Sequence, residues 1–214
     1  MLVKHSHQGD IDHFDRWSVT YDRTPGQRVF FGPVHRHVCE ALLDGHAPGR
    51  IVDVGCGTGR LLEVIRRRLP EAELIGIDPS AGMVGVARSR FAEVPRVRIE
   101  MAPARDLPLD GGSVDVVTTT LSFHHWDEQG ASLREVARVL RPGGRLLLAD
   151  VLGIGLLGRL IRPLGHRDSS VFRNAAELSA LLSEAGFASW RRRRLFVPAI
   201  PVFLVEARVG TLDR

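Results

Sequence analysis

The sequence predicts an α/β fold, a doubly wound and mostly parallel seven-stranded sheet that ends in an antiparallel C-terminal hairpin. Three observations carry this. Short β-branched runs alternate with longer segments of helical spacing, which is the pattern of strands joined by crossover helices. Most of those runs are apolar at successive positions, as strands buried on both faces must be. A glycine-rich turn follows the first run and opens a helix, where open sheets of this class keep their ligand crevice. The 214 residues are enough for one domain with a real core.

Taken in order, residues 1–48 read as a helical, His-rich cap containing Phe14, Trp17 and Tyr21 and the run Val29, Phe30, Phe31. This part is too small for its own core and is expected over the carboxyl edge of the sheet. Residues 49–214 form the main domain. Its strands are expected at Ile51–Val54, Leu74–Ile77, Val97–Ile99, Val114–Thr119 and Arg145–Ala149, separated by breaks at Pro70, Pro95, Gly111–Gly112 and Pro142–Gly144. Leu61, Ile65 and Leu69 share one helix face, and Leu133, Val136, Ala137 and Leu140 repeat the spacing. Residues 151–172 read as a small insertion. Its apolar stripe of Ile154, Leu157, Leu160, Ile161 and Leu164 suits a core element or a lid over an apolar ligand. A capped helix from Ala175 to Ala185 stops at Gly186, and the runs Trp190–Val197 and Val202–Arg208 pair as the hairpin.

Composition excludes several classes. Hydrophobic residues make up 44% and charged residues 25%, values of a folded globular chain rather than a disordered or collagen-like one. The formal charge is +4, and of 29 basic residues only Lys4 is a lysine, a bias that reads as codon usage rather than nucleic-acid binding. The run Arg191–Arg194 alternates faces on a strand without interleaved aromatic residues, so it reads as a solvated sheet edge. Cys39 and Cys56 are too few for a disulfide framework and sit in no metal-binding spacing, so no metal is expected. The opening residues lack the apolar core of a signal peptide, and the longest apolar stretch falls short of a membrane span. A cytoplasmic protein without stable membrane insertion is expected; its oligomeric state is not written in the sequence.

The chemistry is concentrated in Asp53-Val54-Gly55-Cys56-Gly57-Thr58-Gly59, between a strand and a helix. Gly55 and Gly57 tolerate positive φ and carry no Cβ, so the backbone can meet a ligand closely. Asp78 ends the second strand, 23 positions after Gly55, where a carboxylate can accept hydrogen bonds from both hydroxyls of a ribose. The glycines are spaced GxGxG, with Arg60 where a dinucleotide fingerprint would place its third glycine, so a ligand with a ribose but no pyrophosphate fits better than a nicotinamide dinucleotide.

Five ordered motifs resemble the class I S-adenosylmethionine-dependent methyltransferases of the small-molecule type that includes quinone-biosynthesis enzymes. IVDVGCGTG is similar to the family's first motif and LIGIDPSAGMVGVAR to its second; VDVVTTTLSFHHW resembles its fourth-strand motif, and LREVARVLRPGGRLLLAD the helix, turn and strand that follow. FDRWSVTYD resembles its N-terminal helix. The resemblance spans roughly 14–186 and implies a Rossmann-like methyltransferase fold, S-adenosylmethionine as cofactor and a small organic methyl acceptor as partner, with no nucleic acid. It implies cofactor contacts at Tyr21, Asp53, Gly55, Cys56, Gly57, Gly59, Asp78, Pro79 and Met83. Further contacts are implied at Ala104, Arg105, Thr119, Thr120 and Leu121. One departure stands out: Pro103 occupies the place where an acidic residue commonly receives the adenine amino group, leaving the backbone of Ala104, Arg105 over the ring, or Asp106 to hold it.

Methyl transfer from a sulfonium asks the protein to align a nucleophile and exclude water, with at most one proton acceptor. His124 and His125, just after the fourth strand, are the catalytic candidates, with a helix-capping or packing role the alternative for each. His5, His7, His13, His35 and His37 complete no metal set and read as solvated or locally bonded. Three rival functions use the same fold: an RNA-modifying or RNA-binding protein, a cofactor-binding module without catalysis, and a nicotinamide dehydrogenase, which the Arg60 spacing opposes.

Overall fold

A computed structural model describes residues 7–22, 31–152, 173–197 and 201–211. The insertion expected at 151–172 therefore lies almost wholly outside the described residues. Seven strands form one sheet: β1 (Arg50–Val54), β2 (Glu73–Asp78), β3 (Val97–Met101), β4 (Val114–Thr120), β5 (Leu140–Val151), β6 (Phe187–Arg194) and β7 (Val202–Val209). Their order is β3-β2-β1-β4-β5-β7-β6. The first five are parallel and β7 runs antiparallel between β5 and β6, so the hairpin closes one edge as the sequence indicates. Strand order reverses between β1 and β4, and that switch point opens a crevice at the carboxyl ends.

Six α-helices are described: α1 (His7–Tyr21), α2 (Gly32–Leu42), α3 (Arg60–Arg68), α4 (Ala81–Arg90), α5 (Gln129–Val139) and α6 (Ala175–Glu184). The sheet divides the core into two layers. One joins α2, α3 and α4 through Val38, Leu42, Leu62, Ile65 and Val84. The other joins α5 and α6 through Leu133, Val136, Leu178 and Leu182. The α5 stripe ends on Val139, because Leu140 already belongs to β5. Local rules set the ends of the helices. Ser80 caps α4 by accepting from Met83 N, and Asn174 with Glu177 forms a capping box on α6. Arg145 is buried in β5 and donates to the carbonyls of Ala41, Leu42 and Asp44, anchoring the end of α2 to the sheet.

Helix α1 lies along α4 and is fastened at both ends of the crevice. Asp15 accepts from Gly82 N at 2.9 Å and from the Ser80 hydroxyl. At the other end Asp22 accepts from Thr58 Oγ1 at 2.8 Å and pairs with Arg60 and Arg90. Two carboxylates thus tie the N-terminal helix to the turn after β1 and to the turn after β2. Among the described residues no helix is long and apolar enough to cross a membrane.

Candidate functional site

The crevice encloses about 1030 Å³, open solvent at its mouth included. Its floor is the β1–α3 turn. Gly55, Gly57 and Gly59 all have positive φ, at 73°, 53° and 81°, yet their missing side chains serve different ends. A Cβ on Gly55 would lie 1.8 Å from Ser122 Oγ, and one on Gly59 would lie 2.6 Å from the Phe91 ring. A Cβ on Gly57 would meet nothing within 4 Å. Gly55 is therefore bare for packing against the loop after β4 and Gly59 for packing against α4. Gly57 alone faces open crevice.

Asp78 holds that turn in shape. Its Oδ2 accepts from Gly57 N and its Oδ1 from Ser80 N, both at 2.9 Å. A carboxylate has room for further donors beyond these two, and Asp78 lines the crevice. Burial pushes its carboxyl up to about 6, against the two backbone donors that pull it down. Asp53 also lines the crevice; it accepts from Thr118 Oγ1 at 2.8 Å, and burial pushes it up to about 7.

Of the residues expected at the cofactor, Tyr21, Asp53, Gly55, Cys56, Gly57, Asp78, Pro79, Met83, Ala104, Arg105, Thr120 and Leu121 line the crevice. Two do not. Gly59 is turned against Phe91, and Thr119 points through the opposite face of β4, since successive strand residues alternate. The Thr119 hydroxyl is fully buried and without a hydrogen-bond partner. The two histidines after β4 separate as well. His125 lines the crevice, edge-on to Phe14 at 5.2 Å. His124 lies off it: its Nδ1 is 2.8 Å from Oδ1 of buried Asp150, its backbone N–H donates to the same carboxylate, and its ring packs 4.1 Å from that of His125.

Several lining residues escaped the sequence reading. Ile11, Phe14 and Phe31 come from the N-terminal helices, and Ser122, Trp126 and Asp127 from the loop after β4. Arg105 pairs with Asp127 at 2.8 Å, bridging two lining loops, whereas Asp106 does not line the crevice. His35, expected to be solvated or locally bonded, is a buried part of the wall. Only the apolar spacing of α2 hinted at its burial. Arg191–Arg194 are exposed on edge strand β6, as expected. Among the described residues no cluster of side chains could hold a metal ion.

Residues 52–148 match the family described as a methyltransferase domain. A malonyl-[acyl-carrier protein] O-methyltransferase of Laribacter hongkongensis is 32% identical over 94% of this chain and 67% of its own length. A ubiquinone/menaquinone biosynthesis C-methyltransferase of Campylobacter jejuni is 30% identical over 65% of this chain and 62% of its own. The chain spans between 34% and 67% of the lengths of the first curated relatives it matches. Among solved structures, a S-adenosylmethionine-dependent methyltransferase of Thermotoga maritima, described as a possible histamine N-methyltransferase, superposes with a TM-score of 0.70 at 25% identity, covering 91% of this chain and 97% of that one. The complex of a putative methyltransferase with the Trm112 activator of Haloferax volcanii gives 0.81 at 20% identity, covering 95% and 98%.

Proposed function

Because this chain belongs to the S-adenosylmethionine-dependent methyltransferase family, we propose that it transfers the methyl group of that cofactor to a small, apolar organic acceptor by direct in-line displacement. The observation that carries this is the pairing of a ribose-type carboxylate, Asp78, with a crevice-lining turn whose Gly57 has open space where a Cβ would stand. The lining residues fit the cofactor. Asp78 has acceptor capacity left for the ribose hydroxyls, and Gly57 leaves space where any other residue would intrude. Buried Met83 with Ala102, Pro103 and Ala104 offers apolar surface for adenine, and the Arg105–Asp127 pair lines the same crevice. Tyr21, held edge-on between Trp17 and Phe31, lines the crevice as well.

When bound, the sulfonium supplies an already activated methyl group, which needs neither metal nor covalent enzyme intermediate. The chain's residues orient the acceptor and manage its proton. Ile11, Phe14, Phe31, Leu121 and Trp126 give the crevice apolar and aromatic walls that favour an apolar acceptor and exclude water. His125 is the proton acceptor, since it lines the crevice and an imidazole nitrogen can take a proton from a bound acceptor. His124 positions it: Asp150 fixes the Nδ1 side of the His124 ring, which then packs against His125.

The test is transfer of isotopically labelled methyl from S-adenosylmethionine to a panel of phenols, hydroquinones, amines and carboxylic acids. The His125→Ala variant should turn over at least about a hundredfold more slowly, the scale of general base catalysis. Its affinity for S-adenosylhomocysteine should stay within twofold. Full turnover in that variant would remove His125 from the chemistry, and a chain that binds the cofactor yet labels none of the panel would contradict the enzymatic reading.

A further inference from the structure

The four arginines of edge strand β6 look alike in sequence, but folding divides them between two rows. One row is committed to the protein itself. Arg191 pairs with Glu206 at 2.7 Å and with Asp44 at 3.3 Å, Arg193 donates to the carbonyl of His37, and Leu195 and Val197 enter the core layer of α2. The alternate residues, Trp190, Arg192, Arg194 and Phe196, share the other face, and all four are exposed. Among the described residues neither Arg192 nor Arg194 has a carboxylate partner. The Arg192 guanidinium lies 5.7 Å from the centre of the Phe203 ring on β7. Of the four exposed large hydrophobic side chains described, two belong to this row: Trp190 at 37% and Phe196 at 88%. In sequence no aromatic residue interrupts the arginine run; on the pleated strand two arginines stand between an indole and a phenyl, in a row about 20 Å long.

Charge on an edge strand serves to keep other strands away. It does not account for the two rings that flank the charge, because exposed aromatic surface favours association. We propose that the row is a docking surface for an anionic lipid bilayer, with Arg192 and Arg194 on the headgroup phosphates, Trp190 at the interface and Phe196 among the acyl chains. The formal charge of +4 favours the approach. A single-stranded nucleic acid fits less well, since it stacks on rings set along a basic track, and here Trp190 and Phe196 stand at the two ends while Arg192 already covers Phe203. A second copy is opposed as well, because pairing two β6 edges would bring their arginines together. β6 runs in the same direction as β5, so its Phe196 end lies at the carboxyl edge of the sheet, the edge on which the crevice opens. Docking there brings the crevice toward the bilayer, the phase in which an apolar acceptor concentrates. The surface rests on β6 and its neighbours, and it stands whether or not the crevice transfers a methyl group.

Co-sedimentation of the full chain with lipid vesicles tests this. The chain should sediment with vesicles of mixed phosphatidylcholine and phosphatidylglycerol but not with phosphatidylcholine alone, and added salt should release it. Arg192→Ala combined with Arg194→Ala should weaken partition about 30-fold, the effect of removing two cations from an anionic surface. Phe196→Ala should weaken it about tenfold through lost contact with acyl chains. Arg191→Ala combined with Arg193→Ala removes the same charge from the opposite face and should change partition by less than about threefold. All of the substituted side chains are exposed, so the comparison reads docking rather than folding. Equal losses for the two arginine pairs would reduce the interaction to net charge and overturn the surface. Failure to sediment with the anionic vesicles, or equal sedimentation with phosphatidylcholine alone, would overturn it too. Polyuridylic acid bound more tightly than the vesicles through Arg192 and Arg194 would reassign the row to nucleic acid and refute the bilayer.

Discussion

Replacing Asp78→Asn separates the carboxylate's work for the fold from its work for the ligand. In the fold, its two oxygens accept one backbone N–H each, from Gly57 and Ser80. Asparagine has one oxygen, so its NH2 must face one of those donors, at a cost of about 1.5 to 3 kcal/mol for a lost charge-assisted bond. An opposite gain follows from burial. The carboxyl stands at about 6 in the folded chain against 3.8 unfolded, so at 1.36 kcal/mol per pH unit its ionised form costs the fold about 3 kcal/mol above pH 6. The sign is that of a raised carboxyl: the folded state holds a proton that the unfolded one has released, and stability falls as pH climbs from 4 to 6. The amide escapes that cost. The two effects nearly cancel, and the melting temperature at pH 8 should move by less than about 4 °C, as expected for a net change near 1 kcal/mol in a chain of this size. Ligand binding has no such compensation. Two ribose hydroxyls lose a charged acceptor, so calorimetry with S-adenosylhomocysteine should show a loss of about 1 to 3 kcal/mol, or roughly 5- to 150-fold. Affinity within twofold of the parent would refute the ribose assignment. Binding lost only in proportion to lost folded protein would show Asp78 to be structural alone.

The glycines of the same turn should separate by phenotype. Gly55→Ala forces a Cβ to 1.8 Å from Ser122 and should cost more than about 3 kcal/mol in denaturant unfolding, whereas Gly57→Ala should cost only the roughly 1 to 2 kcal/mol of a left-handed residue while lowering cofactor affinity at least tenfold; equal stability losses would contradict the division. Protons should also report the ligand's charge. Near pH 6.5 the Asp53 carboxyl, pushed up to about 7 by burial, is partly protonated, and a cation favours its ionised form. S-adenosylmethionine should therefore release more protons on binding than uncharged-sulfur S-adenosylhomocysteine, measured from calorimetric heats in two buffers of different ionisation enthalpy, and equal release would count against a sulfonium beside Asp53.

Much of the fold was legible because burial writes itself into strands directly. β1 and β2 are apolar on both faces and bounded by glycine and proline, and both lie where the pattern indicates. The edges of elements were less legible. β6 begins at Phe187, three residues before the run that suggested it, because Gly186 ends α6 and the chain pairs with β7 at once. In the site, Gly57 and Asp78 were visible as residue types at a spacing. The distinction among the three glycines was not, since it depends on Ser122 and Phe91, which are distant in sequence. His124 and His125 looked equivalent as neighbours; Asp150, from another strand, sets them apart. His35 was passed over because a histidine on an amphipathic helix carries no mark of what its ring faces once α2 packs on α3.

The crevice between β1 and β4 is proposed to receive an adenosine whose sugar is gripped by Asp78. A crystal structure grown with S-adenosylhomocysteine is the decisive measurement. Both ribose hydroxyls should lie within hydrogen-bond distance of the Asp78 carboxylate, with adenine against Met83 and the thioether passing over Gly57. A nucleoside bound elsewhere, or seated in the crevice with its ribose turned away from Asp78, would contradict it.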